Sequence, residues 1–176
     1  MNHNETQEKL VLWDVAGVDG LQVMKRVFGE QSDRIAPFQS LETDLHGLPC
    51  SVLRLCEGNF RICCPEKICC PENRETLPGA LRAAAANCRV WVKQFPWLTA
   101  MLLPEEMSLA ALAEIARPKP PFHLKALALN CAAPARIEGI AVLVWRHPRQ
   151  GKERLELHLA QTQWKRVETL VTQHIS

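Results

Sequence analysis

The chain has 176 residues, a hydrophobic fraction of 47%, a charged fraction of 23% and a formal net charge of +2. That balance excludes a disordered, collagenous or coiled-coil chain, and a chain of this length buries a sizeable core without staples. Tyrosine is absent, which removes tyrosine-led recognition surfaces and a tyrosine general acid, and no run of about 18 apolar residues offers a membrane span.

Residues 1–8 are polar and are expected to fray. They lack the basic start and apolar stretch of a secretory signal, so a cytoplasmic location is expected. Residues 9–176 read as a single α+β domain, with 117–121 as its candidate internal boundary. "KLVLW" (9–13) is a short strand. From Asp19 the apolar positions turn helical: Leu21, Met24, Val27 and Phe28 share a face, Asp19 stands as N-cap and Gly29 as the stop. "CSVLRL" and "FRICC" flank Glu57-Gly58-Asn59. Gly and Asn accept the positive backbone angles of a tight turn, so a hairpin is expected over 49–64. Pro65 and Pro71 lack an N–H and break strand pairing, which puts "ICCPEKICCPE" in a turn beyond the strand end.

"LPGALRAAAANCRVWVKQF" predicts one helix ended by Pro96, with Leu81, Ala84, Ala85, Cys88, Trp91, Val92 and Phe95 as its buried stripe. Ser108 caps a second helix running to Ala116, and "RPKPP" (117–121) is a rigid connection. Three strands follow at 122–129, 136–145 and 153–159. In the last, Leu155, Leu157 and Leu159 face a core while Arg154, Glu156 and His158 face solvent. "RHPRQGK" is a long hairpin loop, and "TQWKRVETLVTQHI" closes the chain as a helix with Trp164, Val167, Leu170 and Val171 inward. This order predicts an α+β fold: an antiparallel sheet, made of an N-terminal hairpin plus a C-terminal three-strand meander, packed against several helices.

Cysteine stands at 50, 56, 63, 64, 69, 70, 88 and 131. The density at Cys63, Cys64, Cys69 and Cys70 makes these four the candidate ligands of a structural zinc. Yet Cys64 and Cys69 are not at the tight knuckle spacing, adjacent cysteines on a strand point to opposite faces, and no second knuckle follows. Packing as small apolar residues is the competing account: Cys56, Phe60, Ile62 and Cys64 would lie against the Ala-rich helix. Disulfides Cys64–Cys69 or Cys63–Cys70 fit a reducing compartment poorly. A catalytic thiol needs a neighbouring base, for which only His46 and His123 have a claim. No phosphate-cradling, nucleophile-elbow or metalloprotease pattern occurs.

The expected function is that of a small, non-enzymatic protein-binding protein: an adaptor, chaperone or assembly factor whose partner is another protein or a second copy of itself. Its contact residues would be Trp91, Val92 and Phe95 on one surface and Arg146, Arg149 and Arg154 on another. The order of helices around a sheet is similar to that of dimeric secretion chaperones, which implies the same class of role. The alternative is a cysteine-coordinated metal module, regulatory or nucleic-acid-binding, using the basic hairpin of Arg146, His147, Arg149, Lys152 and Arg154. No aromatic residue is interleaved among those bases, which counts against single-strand binding. A third is an enzyme joining a cysteine to His46 or His123.

Overall fold

The structure, a computed structural model, describes residues 9–66 and 76–175. In chain order the strands and helices are β1 (Leu10–Ala16), α1 (Gly20–Phe28), β2 (Ser40–Leu45), β3 (Leu48–Cys56), β4 (Asn59–Pro65), α2 (Leu77–Ala84), β5 (Trp91–Gln94), β6 (Leu98–Leu102), α3 (Leu109–Ile115), β7 (Ala116–Pro118), β8 (Cys131–Ile137), β9 (Ile140–Arg149), β10 (Lys152–Ala160) and α4 (Trp164–Gln173). They form two five-stranded antiparallel sheets, β2-β3-β4-β1-β5 and β6-β10-β9-β8-β7. The fold class is therefore α+β with antiparallel sheet, as expected, but the expected hairpin and meander belong to two different sheets.

Strand alternation sorts the side chains into layers. In the first sheet, Val11, Trp13, Val15, Val52, Phe60, Ile62 and Cys64 join Val23, Met24 and Phe28 of α1 and Leu77 and Leu81 of α2. In the second sheet, Val142, Val144, Leu155, Leu157 and Leu159 join Leu112 of α3 and Val167 and Val171 of α4. The remaining faces meet each other: Leu12, Leu53 and Cys63 of the first sheet pack with Ala100, Ala132 and Trp145 of the second. The result is four layers, helix–sheet–sheet–helix, with each sheet set between the other sheet and its own helices. The segment Phe38–Ser40 stitches the sheets together: Ala132 donates its N–H to the Phe38 carbonyl at 2.8 Å and Ser40 donates to the Asn130 carbonyl at 2.8 Å.

Several local expectations hold. The β3–β4 hairpin turns at Glu57-Gly58, and α1 ends at Gly29, whose N–H donates to the Lys25 carbonyl. Ser108 caps α3, its hydroxyl accepting from the Ala111 N–H at 3.1 Å, and Val167 and Val171 form the inward stripe of α4. Asp19 stands at the N-cap position of α1 as expected, but its side chain makes no capping hydrogen bond; its carboxylate accepts from the Arg89 N–H at 2.7 Å instead, which holds it below the usual carboxylate range.

Other expectations are corrected. The helix expected to run to Phe95 stops at Ala84. Asn87 takes a left-handed conformation at φ 63°, and the β-favouring run Val90-Trp91-Val92 enters β5, which pairs with β1. Residues 122–129 hold a short 3-10 turn, Leu124–Ala126, rather than a strand. The expected strand at 136–145 is two strands, because Glu138 and Gly139, both at positive φ, turn β8 back into β9. The expected long loop is a two-residue turn at Gln150-Gly151, with Arg149 paired to Lys152. The Ala116–Pro118 segment is an edge strand, with Pro118 at its end.

The β1–α1 corner depends on glycine. A Cβ at Gly20 would lie 1.9 Å from the Gly58 carbonyl oxygen, and one at Gly17 would lie 2.2 Å from the Arg89 carbonyl oxygen. Backbone cannot yield as a side-chain tip does. Gly20→Ala is expected to cost about 1–3 kcal/mol, read as a lower urea midpoint at unchanged slope.

Candidate functional site

Two features stand out: an uncovered edge of the first sheet and a charged layer between the sheets. At the edge, Trp91 of β5 lies opposite Ala16 and Lys93 opposite Asp14. Directly paired residues share a face, so Trp91 and Lys93 lie on the same side of the sheet as Leu12, which is packed against the second sheet. Among the described residues there is no such cover at Trp91, which is 74% exposed. Trp97, in the β5–β6 turn, is 58% exposed and packs on Phe95 with ring centroids 5.5 Å apart. Val18, two residues past Ala16, is 68% exposed. Among the described residues β5 pairs only with β1 and β6 only with β10, so these consecutive strands each leave an edge unpaired. A groove lined by Gly17, Asn59, Cys88, Arg89 and Trp91 runs beside the edge. Val92 turns the other way, half-buried against the helix-side core. The sequence brought Trp91, Val92 and Phe95 together as one helix face; the structure distributes them over a strand and its following turn.

The charged layer is assembled from five strands. Arg61 of β4 holds Asp14 of β1 in a two-pronged pair, Nε to Oδ1 at 2.7 Å and Nη2 to Oδ2 at 2.8 Å. Arg61 Nη1 also lies 3.4 Å from His158 Nδ1. His158 Nε2 is 2.7 Å from Glu156 Oε1 on the same strand, β10. Glu156 Oε2 accepts from Arg149 Nη2 at 2.9 Å and faces His147 Nε2 at 3.3 Å, both on β9. The other His147 nitrogen, Nδ1, is 3.0 Å from Glu42 Oε1 on β2. The thiol of Cys63 donates to Glu156 Oε1 at 3.3 Å. Glu156 and His147 are fully buried and His158 nearly so.

Burial penalises a charge on Glu156, His147, His158 or Arg149, and hydrogen bonding decides which survive. Desolvation opposes the Glu156 carboxylate, but hydrogen bonds from His147 and His158, with the Arg149 charge, hold it well below the usual range. Desolvation also opposes a charged His147, yet its bonds to Glu156 and Glu42 raise it above the ordinary histidine value. Burial dominates at His158 and pushes it down, so it stays neutral, with Nε2–H donating to Glu156 and Nδ1 accepting from Arg61. Burial and the Glu156 charge push the Cys63 thiol well up, making it an inert donor rather than a nucleophile.

Cys63, Glu156 and His158 place a sulfur, an oxygen and a nitrogen within 4.8 Å of one another. The positive charge at that point is a guanidinium: Arg149 Nη2 is 3.3 Å from Cys63 Sγ and 2.9 Å from Glu156 Oε2. Of the four cysteines expected around zinc, Cys63 faces this layer while Cys64, its neighbour, faces the α1–α2 side; Cys69 and Cys70 lie outside the described residues. His46 and His123 are both exposed. The bases of the hairpin are matched by acids: Arg146 pairs with Glu153 at 2.8 Å and Arg149 with Glu156 within the hairpin, and Arg154 with Glu105 beyond β6 at 3.1 Å. His147, expected beside them on the surface, and His158, expected in solvent, are instead interior.

No protein-family model matches the chain, and no curated protein matches it. Solved structures do. The chain is similar to the glycine cleavage system aminomethyltransferase T of Bartonella henselae, with a TM-score of 0.71 at 13% identity over 92% of this chain and 43% of that one. It is also similar to a chain of the heterotetrameric sarcosine oxidase of Corynebacterium sp. U-96, with a TM-score of 0.60 at 16% identity over 94% of this chain and 79% of that one. At these identities the likeness is one of fold. The chain spans less than half the length of the aminomethyltransferase.

Proposed function

We propose that this chain is a non-catalytic, protein-binding subunit that docks through the β5 edge. The observation that carries this is the pair of exposed tryptophans beside an unpaired strand edge: Trp91, on the face that elsewhere meets the second sheet, and Trp97 in the following turn. Tryptophan at a docked surface removes roughly 150–250 Å² of its own area from water and, with tyrosine and arginine, is enriched among the anchors of protein interfaces. A partner strand or loop laid along β5 would satisfy its free backbone groups and cover both rings in one step. The sarcosine oxidase is a heterotetramer, and a fold used there inside a larger assembly supports the same use here. Arg89 and Lys93 flank Trp91, so the partner surface would be apolar at its centre with acidic groups at its rim.

The double variant Trp91→Ala, Trp97→Ala tests this. Tagged wild-type and variant chains would be expressed in the native host, crosslinked and recovered. The variant is expected to recover at least about tenfold less of the major co-purifying protein, at an unchanged melting temperature. Equal recovery by both chains, or a wild type that crosslinks to nothing and sediments as a monomer, overturns the proposal.

A further inference from the structure

We propose that His147 is a protonation latch: as a doubly protonated imidazolium it ties Glu42 of β2 to Glu156 of β10, and its deprotonation releases the β2 edge of the first sheet from the second. The proposal rests first on geometry. Each ring nitrogen faces a carboxylate oxygen, Nδ1 at 3.0 Å from Glu42 and Nε2 at 3.3 Å from Glu156. A carboxylate offers only acceptors, so both contacts are hydrogen bonds only when both nitrogens carry protons.

Charge matching leads to the same state. The layer holds three carboxylates, Asp14, Glu42 and Glu156, and two guanidiniums, Arg61 and Arg149. His158 is spoken for as a neutral ring by its Arg61 contact, and Cys63 donates as a thiol. Arg154, the cross-strand neighbour of His147 on β10, turns away to Glu105 and the Leu103 carbonyl. The third positive charge is therefore His147. Its ring also stacks on Trp145, with centroids 3.9 Å apart and planes 18° from parallel, a placement that favours a cation over the indole face.

Loss of that proton leaves one lone pair pointing at a carboxylate. Glu156 keeps Arg149 and His158, whereas Glu42 keeps, among the described residues, the Ser51 hydroxyl at 2.6 Å and stands 34% exposed. Glu42 is the end that lets go, and β2 is an edge strand. The folded pKa of His147 is raised above the usual 6.5. Its contribution is thus fully present below about pH 6.5 and fades as pH rises through the raised folded value. The latch opens on the alkaline side.

Imidazole nitrogen NMR on the full chain, labelled at histidine, tests this directly. At pH 7 both His147 nitrogens are expected to be protonated, with a single titration above that of an ordinary histidine. Glu42→Gln removes one facing charge and is expected to move that titration down by about one pH unit or more. The protected amides of β2 are expected to exchange about tenfold faster, relative to those of β3, once His147 has deprotonated. A singly protonated ring at pH 7 overturns the proposal, as does a titration unmoved by Glu42→Gln, or a β2 to β3 exchange ratio that does not follow His147.

Discussion

Replacing Glu156 by alanine is expected to lower the unfolding free energy by about 3–5 kcal/mol at pH 7, the usual cost of breaking a buried ion pair from one side. Glu156 is fully buried and accepts from four groups: His147, His158, Arg149 and Cys63. Its removal leaves the Arg149 cation and the His147 imidazolium without their shared counter-ion at a buried position between the sheets. Whole domains are stable by about 5–15 kcal/mol, so the loss is a large share. Chemical denaturation measures it, and a cost under about 1 kcal/mol would mean that water already screens the layer. The pH dependence gives an internal control. The folded pKa of Glu156 is depressed, so its contribution is present above the usual value of 4.5 and lost as pH falls through the folded value. Wild type and variant should therefore converge in strong acid. Glu156→Gln keeps the shape without the charge and should fall between the two.

The same glutamate shows where sequence reasoning succeeds and where it stops. Local signals placed the β3–β4 hairpin, α1, α3 and α4, because a Gly turn, a Ser cap and a three-to-four apolar spacing act within a few residues. The Ala83–Ala86 run misled, since alanine continues a helical pattern without specifying it, and the strand that ends it is fixed by pairing with β1, far away in sequence. On β10 the alternation was right and its meaning wrong: Leu155, Leu157 and Leu159 do share a face, but Glu156 and His158 face a second sheet rather than water, while Arg154 turns to Glu105 at the strand's end. Nothing local distinguishes a solvated polar face from one that meets a matching set of charges. The available signal was complementarity. Arg61 and Cys63 on β4, His147 and Arg149 on β9, and Glu156 and His158 on β10 all repeat at period two. Three polar strands with opposite charges suit each other as well as they suit solvent. Trp91 was legible as a partner-binding candidate, though on an expected helix, whereas Trp97 was not singled out; the exposure of both shows only in the structure.

Trp145→Ala is the other substitution expected to cost about 3–5 kcal/mol. Its ring is fully buried between the sheets, stacks on His147 and meets His158 edge-on at 5.5 Å. Its indole Nε1–H donates to Ser40 Oγ at 2.8 Å, joining β9 to β2. Truncation would open a cavity bordered by charged groups and cut one of the ties between the sheets. Two smaller variants separate these effects. Trp145→Phe keeps most of the apolar bulk and the stack but leaves the buried Ser40 hydroxyl without its donor, for an expected cost of about 1–3 kcal/mol. Ser40→Ala alone leaves the indole N–H unpaired and should cost a similar amount. The double variant Trp145→Phe, Ser40→Ala removes both partners, and its loss should be smaller than the sum of the singles by about 1 kcal/mol or more. Urea titrations of the four chains close that cycle. Simple additivity would show that Ser40 and Trp145 act independently, and the tie between the sheets would then rest on Glu42, His147 and Glu156 and on the Phe38–Ser40 backbone.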